Sequence, residues 1–133
     1  MIGEASSPID TVLRNKKRAQ DFWEKVLNGG QFDLIGKLLA PNYTFNGHPS
    51  PAAGTAAWLK AVREAAPDTF FRIESMVGAN DTVAIRWTVT ATADGKKTML
   101  TGENVLTFNA DGQCTSNWQS MGTQEFAHVV SSG

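Results

Sequence analysis

The chain has 133 residues, 41% hydrophobic and 19% charged, which suits one domain with its own core and gives no compositional reason for disorder. Lys plus Arg number 12 against 13 Asp plus Glu, for a formal net charge of −1 spread along the chain, and this excludes the basic footprint of a nucleic-acid binder or of a protein held on an anionic membrane. The single cysteine, Cys114, excludes an internal disulfide framework and any multi-cysteine zinc site.

The first segment, "MIGEASSPID", has neither a basic n-region nor an apolar h-region, and no apolar run approaches the roughly 18 residues of a membrane span. A cytoplasmic protein is expected, folded as one domain over 1–133 with its core at about 8–122 and a frayed tail at 123–133. The first helix starts with Ser7 as N-cap, Pro8 at the first helical position and Asp10 three residues after the cap. Apolar residues at 9, 12, 13, 19, 22, 23, 26 and 27 form its stripe, and Asn28-Gly29-Gly30 ends it. "FDLIGKLLA" predicts a short second helix stopped by Pro41, and "NYTFNGHP" a brief extended piece. A third helix is expected over roughly 55–66, burying Trp58, Val62 and Ala65.

From residue 69 the period changes from helix to strand. "TFFRIESMV" alternates, residues 78–81 turn, and "TVAIRWTVTATA" places Val83, Ile85, Trp87 and Val89 on one face and Ala84, Arg86, Thr88 and Thr90 on the other. Asp94-Gly95 is a hairpin signal, "KTMLTGENVLTF" returns, "NADGQ" turns again, and "CTSNWQSM" is the last strand. Three helices followed by a four-strand meander predict an α+β fold, with the helices on one face of a curved, mainly antiparallel sheet. Such a bent sheet leaves a cone-shaped pocket for a small hydrophobic molecule.

Three stretches, "FWEKVLNGGQFDLIGKLLAPNYTFNG", "AAPDTFFRIESMVGANDTVAIRWTVTATADG" and "LTFNADGQCTSNW", resemble the NTF2-like (cystatin-like) superfamily, and within it the SnoaL-like polyketide cyclase group. The resemblance covers about 8–122 and carries no catalytic signature of its own. It implies the cone fold and, commonly, a homodimer paired through the sheet. Function stays open, because this fold hosts isomerases, cyclases, dehydratases, epoxide hydrolases and plain binding modules.

The resemblance also assigns positions. Where ketosteroid isomerases hold an oxyanion-stabilising acid, this chain has Asn104; their general-base Asp falls at or next to Asn46, and their Tyr on Trp23. Limonene epoxide hydrolases imply Arg86 with an Asp two residues on, here Thr88, and a second Asp where Ser120 stands. The cyclases' own Asp falls near Met121 or Gly122. All these carboxylates are replaced. Should the register of the "GENVLTF" strand differ by one residue, Glu103 and not Asn104 enters the cone.

The candidate catalytic residues are therefore His48 as proton shuttle, Arg86 and Asn104 as stabilisers of a developing oxyanion, and Asn46 beside them. The resemblance turns Arg86 inward, where an ion pair with Glu74 is the competing structural role. Trp23, Tyr43, Trp58, Thr88, Trp118, Ser120 and Met121 are candidate substrate-binding residues, with Trp23 and Trp118 facing the cavity. Trp87, opposite Arg86, is expected at a dimer interface with Val83, Ile85 and Val89, and His128 is read as a bystander. No metal-ligand spacing, Gly-rich phosphate loop or nucleophile elbow is present, so no cofactor is expected.

The activity these residues suggest is a cofactor-independent isomerase, cyclase or dehydratase acting on a small hydrophobic oxygenated, polyketide- or terpenoid-like molecule of specialised metabolism. The alternatives are a non-catalytic small-molecule-binding or assembly module and, more weakly supported, an epoxide hydrolase.

Overall fold

The structure, a computed structural model, describes residues 7–120. Met121, Gly122, His128 and the 123–133 tail lie outside the described residues.

Helix α1, Pro8–Asp21, starts as its sequence requires: the Asp10 N–H donates to Ser7 Oγ at 3.1 Å and Pro8 stands where a missing N–H costs nothing. Only the second half of its apolar stripe is buried. Ile9 and Leu13 are exposed, while Asn15, Ala19, Phe22, Trp23 and Val26 go into the core. The helix continues as a more widely wound π-helical segment, Phe22–Asn28. There the Gln31 N–H reaches back to Lys25 O and the Gly30 N–H to Val26 O, releasing the chain into a turn.

The second helix is shorter than its sequence suggests: a 3₁₀ turn, Phe32–Leu34, and then α2, Ile35–Leu38. Strand β1, Leu39–Phe45, takes over the last two residues of the expected helix, and Pro41 sits inside it. The strand can accept Pro41 because its register against the neighbouring strand is interrupted between Leu39 and Thr44, where the missing N–H breaks no ladder. A left-handed turn at Asn46 (φ 50°) and Gly47 leads to β2, His48–Pro49. Helix α3, Ala52–Ala65, buries Val62; Ala66, one residue past its end, is buried in place of Ala65, which is exposed.

The meander follows as β3, Phe70–Ala79, β4, Thr82–Ala93, β5, Lys96–Phe108, and β6, Cys114–Gln119. The six strands form one sheet in the order β2-β1-β6-β5-β4-β3, antiparallel throughout except where β1 lies parallel to β6. The result is the α+β cone expected from the sequence, with helices on the concave face.

The faces of β4 are the reverse of the sequence expectation. Val83, Ile85, Trp87 and Val89 are each at most 2% exposed and belong to the core, whereas Arg86 is on the outer, solvent side. The physical reason is plain: four apolar side chains gain by burial what one unpaired guanidinium would forfeit. Trp87 and its three neighbours therefore make no dimer interface. On β5 the parity matches, because Asn104 pairs with Ile85 on the inner face and Glu103 stands opposite Arg86 on the outer one.

One side chain ties the helical layer to the sheet edge. Asn28, at the end of the π-helical segment, donates its amide to Phe71 O and accepts from Phe71 N, both at 2.7 Å. It pairs with edge strand β3 as a neighbouring strand would, so the edge is blunted and Phe71 is held against the core.

Candidate functional site

Between α3, the π-helical segment and the inner face of the sheet lies a cavity of about 420 Å³. Its wall is largely apolar, built from Phe22, Leu27, Phe45, Leu59, Val62 and Phe71 among others, with Trp23, Trp58 and Trp87 contributing indoles. Phe71 meets Trp87 edge to face, ring centroids 5.3 Å apart. The strands supply Tyr43 from β1, Asn104 from β5, and Asn117 and Gln119 from β6 to the polar part, and Ser50, Thr55 and Thr69 add to it from outside the sheet.

Three of these side chains form one chain of hydrogen bonds with Trp87. The Trp87 indole N–H donates to Asn104 Oδ1 at 2.6 Å, the Asn104 amide donates to Asn117 Oδ1 at 2.7 Å, and the Asn117 amide donates to the Tyr43 hydroxyl oxygen at 3.1 Å. An indole N–H can only donate. It therefore fixes the orientation of Asn104, which fixes Asn117, which makes the Tyr43 oxygen an acceptor. The phenolic hydrogen must then point elsewhere, and among the described residues it has no acceptor. Hydrogen bonds aligned head to tail polarise one another, so Tyr43 stands at the donating end of a cooperative series. Burial pushes the Tyr43 phenol above its ordinary pKa, against a smaller opposite pull from the Asn117 amide, so it stays protonated at any working pH.

Two further donors stand in the wall. The Trp23 indole nitrogen is buried with no partner among the described residues. Arg63 on α3, the one charged residue of the described lining, donates through Nη1 to the last carbonyls of the π-helical segment, Asn28 O at 3.0 Å and Leu27 O at 3.4 Å. No carboxylate or histidine lines the cavity among the described residues.

Several sequence candidates fall elsewhere. His48 is exposed on β2 and does not line the cavity. Asn46 takes a left-handed conformation and accepts from Gln119 N at 2.7 Å, binding the β1–β2 turn to β6. Arg86 faces solvent, and the expected ion pair is made by another residue: Arg72 Nε meets Glu74 Oε2 at 3.0 Å. Thr88 hydrogen-bonds Glu74, and that bond followed by Arg72 holds the Glu74 carboxyl below its usual range, with Arg86 a lesser influence. Trp118, expected in the cavity, is 55% exposed on the outer face, one strand position from the inward Asn117. Ser120 exchanges bonds with the Glu103 backbone, donating to its carbonyl at 3.3 Å and accepting from its N–H at 3.1 Å. Trp23, Tyr43, Trp58 and Asn104 do meet at the cavity. Asn117 and Arg63 join them without having been singled out as site residues; their only sequence signals are the even spacing of Asn117 from Gln119 and the helical spacing of Arg63 from Leu59.

Cys114 is buried, and burial pushes its thiol up to about 12, which makes it an inert core residue. Among the described residues no group of three or more His, Cys, Asp or Glu is placed to hold a metal ion. No described helix is long and apolar enough to cross a membrane.

Comparison with known proteins gives a consistent picture. A family model described as SnoaL-like domain matches residues 19–117. Among solved structures, a candidate polyketide cyclase from Bacillus cereus superposes with a TM-score of 0.78 at 20% identity, over 99% of this chain and 89% of its own. A SnoaL-like polyketide cyclase from Agrobacterium tumefaciens gives 0.74 at 18% identity, over 86% of this chain and 95% of its own. A candidate polyketide cyclase from Acidithiobacillus ferrooxidans gives 0.72 at 23% identity, over 96% and 99%. At these identities the structures establish the fold alone. No curated protein matches the sequence.

Proposed function

The chain belongs to the SnoaL-like domain family, and on that premise we propose that its cavity folds a hydrophobic oxygenated substrate of polyketide-like character for ring closure, without a cofactor. The observation that carries this reading is the Trp87–Asn104–Asn117–Tyr43 chain, which ends in a hydroxyl donor with no protein acceptor among the described residues. In an intramolecular aldol step, an enol carbon of the substrate attacks a carbonyl carbon in the same molecule. One C–C bond forms, and the enol proton passes to the former carbonyl oxygen. Tyr43 donates a hydrogen bond to that oxygen as its negative charge develops and keeps its own proton. Confinement between aromatic walls brings the two carbons together. A substrate that enolises readily needs no carboxylate base, which fits a cavity lined by amides.

The test is turnover of 1-phenyloctane-1,5,7-trione, whose β-diketone enolises readily, to the cyclic aldol and, with loss of water, to its cyclohexenone, followed by ultraviolet absorbance. Tyr43→Phe is expected to lower kcat about 100-fold with little change in KM, the loss typical of a removed oxyanion donor. Binding without any acceleration by the wild type would support the second reading, a non-catalytic binding module. That reading is favoured by the absence of carboxylate and histidine from the described lining.

The partner reading is a homodimer through the outer face of the sheet. Val77, Val105 and Trp118 are exposed there, and with Ala84 they fall in one cross-strand row: Val77 opposite Ala84, Ala84 opposite Val105, Val105 opposite Trp118. Val105→Glu is expected to yield a folded monomer by sedimentation equilibrium; a wild type that sediments as a monomer refutes the dimer.

A further inference from the structure

The cavity has two unlike polar regions. On the sheet side stands the neutral chain ending in Tyr43. On the helix side stands Arg63, and its placement is specific. Its Nη1 is bound by Leu27 O and Asn28 O, and it lies over Gly30, whose φ of +70° and missing side chain leave room for it. A Cβ at residue 30 would come within 3.3 Å of Arg63 Nε and 3.7 Å of Nη2. The guanidinium is thus held from beneath by backbone, with Nε and Nη2 donating to no acceptor among the described residues.

No described carboxylate pairs with Arg63; the ion pairs present are those of Lys17 and Lys25 with Asp21 and of Arg72 with Glu74. A partly buried cation in an apolar wall, fixed in place and unneutralised, is costly unless something else supplies the opposite charge. A fixed guanidinium in the cavity wall with two unpaired donor nitrogens is a sign that an acceptor belongs there.

We propose that the ligand is a keto acid, whose carboxylate is received by the Arg63 fork while its ketone meets Tyr43. This rests on reading the cavity as a site for an oxygenated hydrophobic molecule, but not on that molecule being turned over. A carboxylate is favoured over a phosphate because a single guanidinium balances one negative charge and no second cation stands in the described lining. The ligand's acyl terminus is accordingly a free acid, and a reaction that releases an acid from a thioester would have to supply it.

The test is isothermal titration with 5-oxo-5-phenylpentanoate and with its primary amide, which has nearly the same shape but no charge. The wild type is expected to bind the acid at least about tenfold more tightly than the amide, as a charge-assisted fork should. Arg63→Gln keeps an amide donor for the carbonyls of Leu27 and Asn28. It is expected to bring the two affinities within about twofold by weakening only the acid. Arg63→Lys, which keeps the charge without the fork, is expected to fall between them and serves if Arg63→Gln does not fold. Equal affinities in the wild type, a preference that survives Arg63→Gln or Arg63→Lys undiminished, or no binding of either compound each overturns the proposal. Tight acid binding without turnover of the trione keeps Arg63 in this role and removes the cyclase reading, so the two fail separately.

Discussion

Gly102→Ala is expected to lower the melting temperature by roughly 6–10 °C, the equivalent of about 2–3 kcal/mol for a chain of this size. An alanine Cβ at 102 would stand 2.5 Å from Trp87 Cζ2 and 2.7 Å from Cη2. Gly102 faces Trp87 directly across the β4–β5 ladder, and the indole occupies the space a side chain there would need. The ring is 2% exposed and packed edge-on by Phe71, and it cannot swing aside as a lysine tip would. Any rotation also pulls Nε1 away from Asn104, so the substitution damages packing and the polar chain together. Thermal unfolding followed by circular dichroism checks it; a shift under about 2 °C, less than 1 kcal/mol, would mean that the indole has room the structure does not show.

The second large effect concerns Asn104. Asn104→Leu fills a similar volume but leaves the Trp87 N–H and the Asn117 amide oxygen buried without partners. At about 1–3 kcal/mol each, the loss should reach about 3 kcal/mol or more, readable as a lower urea midpoint with unchanged slope. Asn104→Asp tests the direction of the chain instead. An ionised carboxylate accepts from the indole as before but also requires a donor from Asn117, which turns its amide over and offers its oxygen to Tyr43. The phenolic hydrogen is then drawn inward. The buried charge should lower the urea midpoint, and the hydrogen bond proposed from Tyr43 to the ligand should be lost, which ketone carbonyl shifts in the infrared spectrum of the bound keto acid would report. A carbonyl band unchanged by Asn104→Asp would show that the Asn104–Asn117 pair does not set the direction of Tyr43.

These two positions also show what the sequence makes legible and what it does not. The alternation of 82–93, the Asp94-Gly95 turn and the return strand determine a hairpin whose register brings Asn104 inward beside Ile85. Which face of β4 is inward is a separate question. Hydropathy alone favours Val83, Ile85, Trp87 and Val89, and the analogy that turned Arg86 inward overrode that simpler argument. His48 and Asn46 misled for a local reason: a two-residue turn with positive φ at Asn46 and Gly47 reverses the chain, so the segment's side chains cannot continue the alternation of β1. Trp118 misled by a single position of parity. Asn117 and Arg63 could not be found from spacing, because their partners are 74 residues away at Tyr43 and 35 residues away at Asn28. A hydrogen-bond chain across β1, β4, β5 and β6 exists only after the sheet has closed.

The make-up of that chain has a consequence for the conditions under which the protein works. An indole, two amides and a phenol raised above its ordinary pKa neither gain nor lose a charge between about pH 4 and pH 10. Enzymes built on a carboxylate or an imidazole inherit a bell-shaped dependence on acidity and must tune it. Here the field inside the cone is set by covalent structure and backbone geometry alone. No side chain of that hydrogen-bonded series changes charge across this range, so a pH dependence of ligand binding would not arise from it.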